Sequence, residues 1–205
     1  MKILCTTLVI LAVFGLAEAQ VPHLYFAGML QWSEPVSDFS NGSIGEGFGN
    51  ANTGTGAEFD VGLMSDHGAT YVGIRWAKFD TEGDFVEWDD MTRFIAGLRW
   101  HVTGKLATPV VPALGAGISL GKSRLEARDP AFSGVDRRKK FDSQTSVGWF
   151  VEGGVRVRLP GALSVFGGLQ YHRFDANFED AFFGGDDSEF DVTFITTQIG
   201  IQYTL

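Results

Sequence analysis

The chain has 205 residues, of which 27 are Gly and 13% are Phe, Trp or Tyr, and its formal net charge is −9. This length suits one domain, and the acidic balance excludes a nucleic-acid-binding surface, which needs clustered Lys and Arg. The single cysteine, Cys5, excludes a disulfide within the chain and a cysteine-based metal site. High Gly with high aromatic content is typical of tightly curved sheets with bulky side chains on one face.

The first twenty residues have the pattern of a secretory signal. Lys2 gives the positive start, residues 3–16 form a mostly apolar core, and Ala17-Glu18-Ala19 fits a small-x-small cleavage site. The apolar run is too short for a transmembrane anchor, and no positive flank follows it. We therefore expect residues 1–19 to be a signal peptide and residues 20–205 to be the mature domain.

Downstream of this segment, apolar and polar residues alternate with period two, which is the pattern of β-strands. Eight segments show it: residues 22–34, 52–65, 70–80, 91–103, 109–123, 143–158, 163–175 and 190–205. In the third segment, Val72, Ile74 and Trp76 form an apolar face. The opposite face carries Gly73 and Arg75. Small residues mixed with charged ones suit a narrow lumen, whereas a continuous apolar face suits lipid.

The same reasoning assigns further residues to the two faces. To the lumen face we assign the glycines of the strand patterns, namely Gly28, Gly62, Gly73, Gly97, Gly117, Gly148, Gly168 and Gly200. We expect two aromatic belts near the strand ends or on the outward face, formed by Tyr25, Trp32, Trp76, Trp100, Trp149, Tyr171 and Tyr203.

The connections between the segments differ in length. Those after the second, fourth and sixth segments are short, at residues 66–69, 104–108 and 159–162, and the others are long and polar. Outer-membrane barrels have this asymmetry between periplasmic turns and extracellular loops, and each segment reaches the roughly 9–11 residues that a tilted strand needs. An even strand count closes a barrel without a free edge and leaves both termini in the periplasm. The sequence therefore predicts an all-β, eight-stranded antiparallel up-and-down transmembrane barrel in the cell outer membrane.

Four short patterns connect the chain with a known group: Gly56 to Leu63, a turn at Asp66-His67-Gly68, Tyr71 to Trp76, and the closing Phe194 to Leu205. Over nearly all of residues 20–205 the chain resembles the small outer-membrane β-barrels, which include the OmpA transmembrane domain, OmpX and the Opa adhesins. The resemblance implies a monomer that contacts outer-membrane lipids and lipopolysaccharide and is inserted by the barrel-insertion machinery. The family usually ends in Phe or Trp, whereas this chain ends in Leu205.

Eight charged residues are predicted to face the lumen: Glu58, Asp60, Arg75, Arg93, Arg99, Glu152, Arg156 and Arg158. Opposite charges in a crowded interior favour bidentate pairs between carboxylates and guanidinium groups. One interpretation is a plug that keeps the barrel closed and fixes the strand register. The alternative is a narrow channel for small solutes or apolar molecules.

An enzymatic function depends on His172. Small barrel enzymes that deacylate lipid A carry a serine two residues after a histidine, and this chain has Phe174 at that position. Without the nucleophile the covalent step is lost, so we expect no enzyme, no catalytic residue, no cofactor and no metal, and we interpret His172 as a histidine near the outer rim. A soluble lipocalin-like carrier is a further alternative, but the Gly-x-Trp expected near its first strand is absent.

The predicted loops differ in charge. The second and fourth are acidic, and divalent cations could bridge their carboxylates to lipopolysaccharide, although no calcium-loop spacing is present. The third carries Arg137, Arg138, Lys139 and Lys140, which could bind lipid headgroups or could simply be solvated. The leading hypothesis is thus an outer-membrane barrel with a structural or surface-interaction role.

Overall fold

A computed structural model describes residues 22–36, 51–81, 86–102, 109–128, 138–178 and 188–205, so the predicted signal peptide lies outside the described residues. Nine β-strands occur in these ranges. They are β1 His23–Pro35, β2 Ala51–Met64, β3 Gly68–Thr81, β4 Val86–His101, β5 Val110–Arg128, β6 Arg138–Asp142, β7 Ser146–Arg158, β8 Leu163–Phe178 and β9 Ser188–Thr204. The same ranges contain no helix long and apolar enough to span a membrane.

The strands form one antiparallel sheet that closes on itself. Their order around the ring is β4-β3-β2-β1-β9-β8-β7-β5, and pairing of β4 with β5 completes the circle. The short strand β6 pairs with residues 124–128 at the far end of β5 and lies in line with β7. The described chain is therefore a closed eight-stranded up-and-down barrel, as the alternation predicts.

The barrel has two different ends. At the short-turn end, residues 65–67 and 159–162 connect neighbouring strands, and His23 Nδ1 lies 3.0 Å from the Leu205 carbonyl oxygen. Gly161 has a φ of 83° in the second of these turns, a conformation that favours glycine. We call the opposite end, where β6 lies, the long-loop end.

The strands continue further toward the long-loop end than the sequence predicts. Only residues 82–85 separate β3 from β4, so the prediction of a long loop there was wrong. Pairing resumes beyond a register shift with Phe79 opposite Trp88, and β5 extends to Arg128. The reason is that ladder hydrogen bonds join backbone atoms, so a polar segment beyond the apolar band can still pair.

The outer surface of the closed sheet is apolar. Ile118 is 60% exposed and Phe94 is 61% exposed, and Trp32, Trp76, Trp100 and Trp149 also face outward. An exposed apolar surface that encircles a sheet is suited to the hydrocarbon of a bilayer. This confirms the alternation of faces in β3, β4, β7 and β9.

The first strand contains two exceptions to the predicted faces. Tyr25 is fully buried in the interior rather than in an outer belt, and Gly28 faces outward. In β1 both faces carry apolar residues, so apolarity alone cannot distinguish them. The ring of Tyr25 lies over Gly62 of β2, where an added Cβ would meet Tyr25 Cε1 at 2.7 Å.

Candidate functional site in the barrel interior

Inward glycines make room for the large side chains of the interior. A Cβ at Gly97 would lie 2.6 Å from Tyr71 Cζ, and a Cβ at Gly115 would lie 2.5 Å from Glu152 Oε1. Such distances are shorter than carbon and oxygen atoms tolerate. The small residues predicted to face the lumen therefore do not leave an open space, because side chains from neighbouring strands occupy it.

Arg75 stands at the centre of the interior and is buried. Its guanidinium donates to Glu58 Oε2 and to Gln170 Oε1, and it contacts both ring nitrogens of His172. Four steps around the ring separate β3 from β8 in either direction, so these two strands are diametrically opposite. The contacts of Arg75 thus span the full width of the barrel.

A second ion pair lies nearer the short-turn end. Arg99 donates from Nε to Glu152 Oε1 at 2.8 Å and from Nη2 to Glu152 Oε2 at 3.1 Å, in the bidentate geometry that guanidinium and carboxylate groups favour. The Tyr71 hydroxyl donates to the same carboxylate at 3.1 Å. The Arg99 guanidinium also lies 4.5 Å from the centre of the Phe166 ring.

Two glutamines connect the ion pairs. Gln31 Nε2 donates to Glu58 Oε2 at 2.9 Å and lies 3.1 Å from Gln198 Oε1. Gln198 Nε2 in turn lies 3.4 Å from Glu152 Oε2. One continuous polar network therefore runs through the middle of the barrel.

The remaining predicted arginines have other surroundings. Arg93 donates from Nε to Ser119 Oγ at 3.0 Å, and its guanidinium lies 3.8 Å above the Phe174 ring. Buried Arg156 has its Nη1 at 2.9 Å from Met64 Sδ. Arg158 occupies the next inward position of β7 beyond Arg156, and its side chain is exposed at the short-turn end, where both arginines border one cavity.

Asp60 is the predicted lumen residue that differs most from the others. It is completely buried, and neither of its carboxylate oxygens has a hydrogen-bond partner among the described residues. The Tyr25 hydroxyl and Glu58 Oε1 are also buried, and they too have no hydrogen-bond partner among the described residues. Buried polar atoms are costly unless they are hydrogen-bonded, which makes this the part of the interior best suited to water.

Aromatic side chains fill the interior toward the long-loop end. His172 stacks on Phe194 with ring centres 4.9 Å apart, and the Phe194 and Phe79 ring centres are 5.2 Å apart. His172 is therefore not a rim histidine as predicted, since it is buried between Arg75 and these rings. The sequence offered a signal for Phe79, which is Gly54 on the adjacent strand, where an added Cβ would lie 2.6 Å from Phe79 Cδ1.

The predicted loop sites are described only in part. Arg137 and residues 179–187 lie outside the described residues, and so do the side chains of residues 80–90, Arg138 and Lys139. Lys140 is exposed on β6, and its Nζ lies 3.5 Å from Glu126 Oε1. Within the described ranges, no group of three or more His, Cys, Asp or Glu residues could hold a metal ion.

Solved structures share this arrangement of strands. Neisserial surface protein A is 16% identical with a TM-score of 0.57, over 88% of this chain and 96% of its own. A major outer membrane protein from Thermus thermophilus is 14% identical with a TM-score of 0.54, over 89% of this chain and 99% of its own. OprG from Pseudomonas aeruginosa is 14% identical with a TM-score of 0.55, over 91% of this chain and 97% of its own.

The chain has the fold of the small outer-membrane β-barrels. At these identities the likeness shows the fold alone, and no protein-family model and no curated protein matches the sequence. Its interior holds the polar network together with two clusters of buried apolar residues. A specific function must be argued from that interior and from the outer surface.

Proposed function

We propose that the protein is an integral outer-membrane β-barrel with a structural or surface-interaction role and a lumen closed by its own side chains. The observation that carries this is the exposed apolar surface around a closed sheet, exemplified by Val72, Phe94 and Ile118. Such a surface is costly in water and favourable in hydrocarbon. The barrel would then add a rigid, sealed element to the membrane.

The contacts of Arg75 support a closed lumen. An eight-stranded barrel has an interior that side chains can fill, and here the guanidinium meets Gln170 and His172 on the opposite strand. The aromatic rings on the long-loop side of His172 add a second layer across the interior. A water column would have to displace both layers to pass.

A non-enzymatic role is part of the same proposal. Both ring nitrogens of His172 contact the Arg75 guanidinium, so the histidine is engaged in the network rather than directed at a substrate. The next residue on its face of β8 is Phe174, which offers no nucleophile.

Heating and detergent test the membrane assignment. The folded protein should require detergent to stay in solution, and its mobility on a gel should change when the sample is boiled, because a closed barrel resists unfolding by cold detergent. A protein that stays monomeric in buffer without detergent would contradict the assignment.

We further propose that the long-loop end faces the cell exterior. A Lys140→Cys variant and an Ala162→Cys variant place one thiol at each end of the barrel. A membrane-impermeant maleimide added to intact cells should label the first variant and leave the second unlabelled until the cells are broken. The reverse pattern would invert the orientation.

A narrow channel is the second candidate, and buried Asp60 is the observation that favours it. Its carboxylate and the nearby Tyr25 hydroxyl lack hydrogen-bond partners in the described part of the chain, which suits a hydrated interior. Planar-bilayer conductance separates the two candidates. A closed lumen gives no steady current in the wild type, whereas a steady current that Asp60→Asn changes would favour the channel.

A further inference from the structure

The mouth of the lumen at the short-turn end contains a cavity whose lining shares no residue with the polar network. Its volume is about 250 Å³, and parts of β1, β7, β8 and β9 surround it together with the turn between β7 and β8. We call it the Arg156 cavity. The polar side chains in its lining are His23, Arg156, Arg158, Ser164 and Thr204.

Two arginines of one strand line this cavity. Arg156 and Arg158 occupy successive inward positions of β7, about 7 Å apart along the strand. The side chain of Arg156 is buried, at 4% exposure, whereas Arg158 is exposed at the mouth. The cavity thus leads from the solvent to a buried guanidinium group.

Hydroxyl groups of the neighbouring strands lie beside the two arginines. Ser164 on β8 is buried and is paired with Arg158 on β7. Thr204 on β9 is held next to the turn, because its backbone N–H donates to the Ala162 carbonyl oxygen at 2.9 Å. Both hydroxyl groups can donate to an oxygen atom inside the cavity.

The charges around the cavity are mainly positive. The positive charges of Arg158 and Arg99 repel that of Arg156. The negative charge of Asp66 attracts it, but Asp66 lies outside the cavity lining. Among the described residues that line the cavity, no side chain carries a carboxylate. The sulfur of Met64, 2.9 Å from Arg156 Nη1, is a weak acceptor, so an anion in the cavity would be a much stronger partner.

We infer that the Arg156 cavity binds a small phosphate, either free or as a monoester, between the two guanidinium groups and the two hydroxyl groups. Guanidinium groups match the geometry of phosphate and carboxylate oxygens. A phosphate monoester carries a charge of about −1.5 to −2 at pH 7, so two cations attract it more strongly than a carboxylate. The ligand must be small, because pockets for drug-sized ligands have volumes of roughly 300–1,000 Å³.

This site goes beyond the proposed function, which concerns the closed lumen and the outer surface. If the long-loop end faces the cell exterior, the cavity opens toward the periplasm, and its ligand is a phosphate-bearing solute of that compartment. Binding in the cavity does not depend on the orientation, so the two proposals can fail separately.

Proton–nitrogen NMR of the folded protein in uncharged detergent provides the test. The protein is titrated with inorganic phosphate, with glycerol 3-phosphate and with acetate, at an ionic strength kept constant with chloride. We expect both phosphates to shift the amide signals of Ala162, Leu163 and Ser164 and the Nε–H signal of Arg156 in a saturable manner. Acetate should bind about tenfold more weakly, because its charge is smaller. The tighter of the two phosphates identifies the free ion or the monoester as the ligand.

Substitutions in the lining test the assigned groups. Arg158→Gln removes an exposed cation from the mouth and should weaken phosphate binding about tenfold. Arg156→Lys keeps the buried charge without the planar fork, and Ser164→Ala removes one donor, so each should weaken binding about threefold. Arg173→Gln is the matched control, because it also removes one arginine but lies on the exposed outer surface, away from the cavity. It should bind phosphate as the wild type does.

Some outcomes would overturn the inference while leaving the membrane assignment intact. These are equal affinities for acetate and phosphate, or wild-type affinity in an Arg158→Gln variant with normal heat-dependent gel mobility. The same signal shifts with sodium chloride alone would also overturn it, because they would report ionic strength rather than a site. Loss of the gel-mobility shift in the wild type would instead contradict the proposed function itself.

Discussion

Arg75 on β3 and His172 on β8 are in hydrogen-bond contact although their strands stand on opposite sides of the ring. Only a side chain that crosses the centre of the lumen can make this contact. Glu58 on the neighbouring strand β2 accepts from the same guanidinium, so the crossing group is also half of a buried ion pair. The proposed closure of the lumen and the stability of the barrel would therefore both depend on Arg75.

Truncation of Arg75 should be strongly destabilising. Arg75→Ala leaves Glu58 buried without its cation, and the expected loss is about 3–5 kcal/mol in the free energy of unfolding, measured by urea titration in lipid vesicles. The double variant Glu58→Gln with Arg75→Met should recover most of the lost free energy of unfolding, because it leaves no unpaired charge at these two positions. Arg173→Ala is the matched control, because Arg173 pairs with Asp191 on the exposed surface at 2.6 Å and such pairs contribute about 0–1 kcal/mol. Equal losses for Arg75→Ala and Arg173→Ala would contradict the central role of Arg75.

The same truncation should change conductance. Removal of the guanidinium takes away the contacts with Gln170 and His172 that cross the interior. We expect Arg75→Ala barrels in a planar bilayer to show brief openings that the wild type lacks. Currents identical to those of the wild type would mean that the aromatic layer beyond His172 seals the lumen alone.

Close approach of Tyr71 to Gly97 makes that glycine intolerant of substitution. Gly97→Ala would bring a Cβ within 2.6 Å of Tyr71 Cζ, and overpacking of this kind costs about 1–3 kcal/mol. Gly153→Ala is the control, since the nearest atom to its added Cβ is Leu114 Cδ2 at 3.5 Å. Unfolding measurements should show that the double variant Gly97→Ala with Tyr71→Leu loses less free energy of unfolding than the two single variants lose in sum. Simple additivity would exclude the steric explanation.

A charge on the outward surface tests where the hydrocarbon lies. Ile118→Arg should destabilise the barrel in lipid by about 2–4 kcal/mol if the residue lies near the middle of the bilayer. Thr55 occupies an exposed outward position close to the long-loop end, and Thr55→Arg should lower the free energy of unfolding much less. The measurement is again unfolding in vesicles, and equal costs at the two positions would place the membrane elsewhere.

The hairpin of β5 and β6 should become less stable in acid. The hydrogen bond from Arg124 lowers the pKa of Asp142 from its ordinary value of 3.8. Because the folded-state pKa is the lower one, the stabilisation is present above pH 3.8 and is lost as the pH falls through the folded value. Carbon NMR of the Asp142 carboxyl should show the depressed pKa in the wild type and a return toward the ordinary value in Arg124→Gln. An unchanged titration in that variant would remove Arg124 as the cause.

The sequence predicts the ring of strands and most of the buried charges, because period-two alternation distinguishes the two faces wherever one of them is polar. The alternation does not predict the position of Tyr25, since β1 carries apolar side chains on both faces. Only Gly62, which lies opposite on β2, indicates that the Tyr25 ring points inward. It also places His172 at a rim, because alternation gives the face of a residue but not its depth along the barrel. The length of β3 and β4 was underestimated for a different reason, which is that backbone pairing continues where apolar side chains end.

The interior contains pairs of one glycine and one large side chain, and these pairs limit how the sequence can change. They are Gly97 with Tyr71, Gly117 with Phe150, and Gly115 with Glu152. In each pair the large side chain fits because the glycine opposite it has no side chain. A mutation that enlarges the small member is tolerated only after the large member shrinks, so the two positions should drift together while the backbone stays unchanged. Replacement of such pairs one after another around the ring would change the side chains of the whole interior without altering the strand order. Such paired changes would let chains only 14–16% identical to this one keep the same ring of strands.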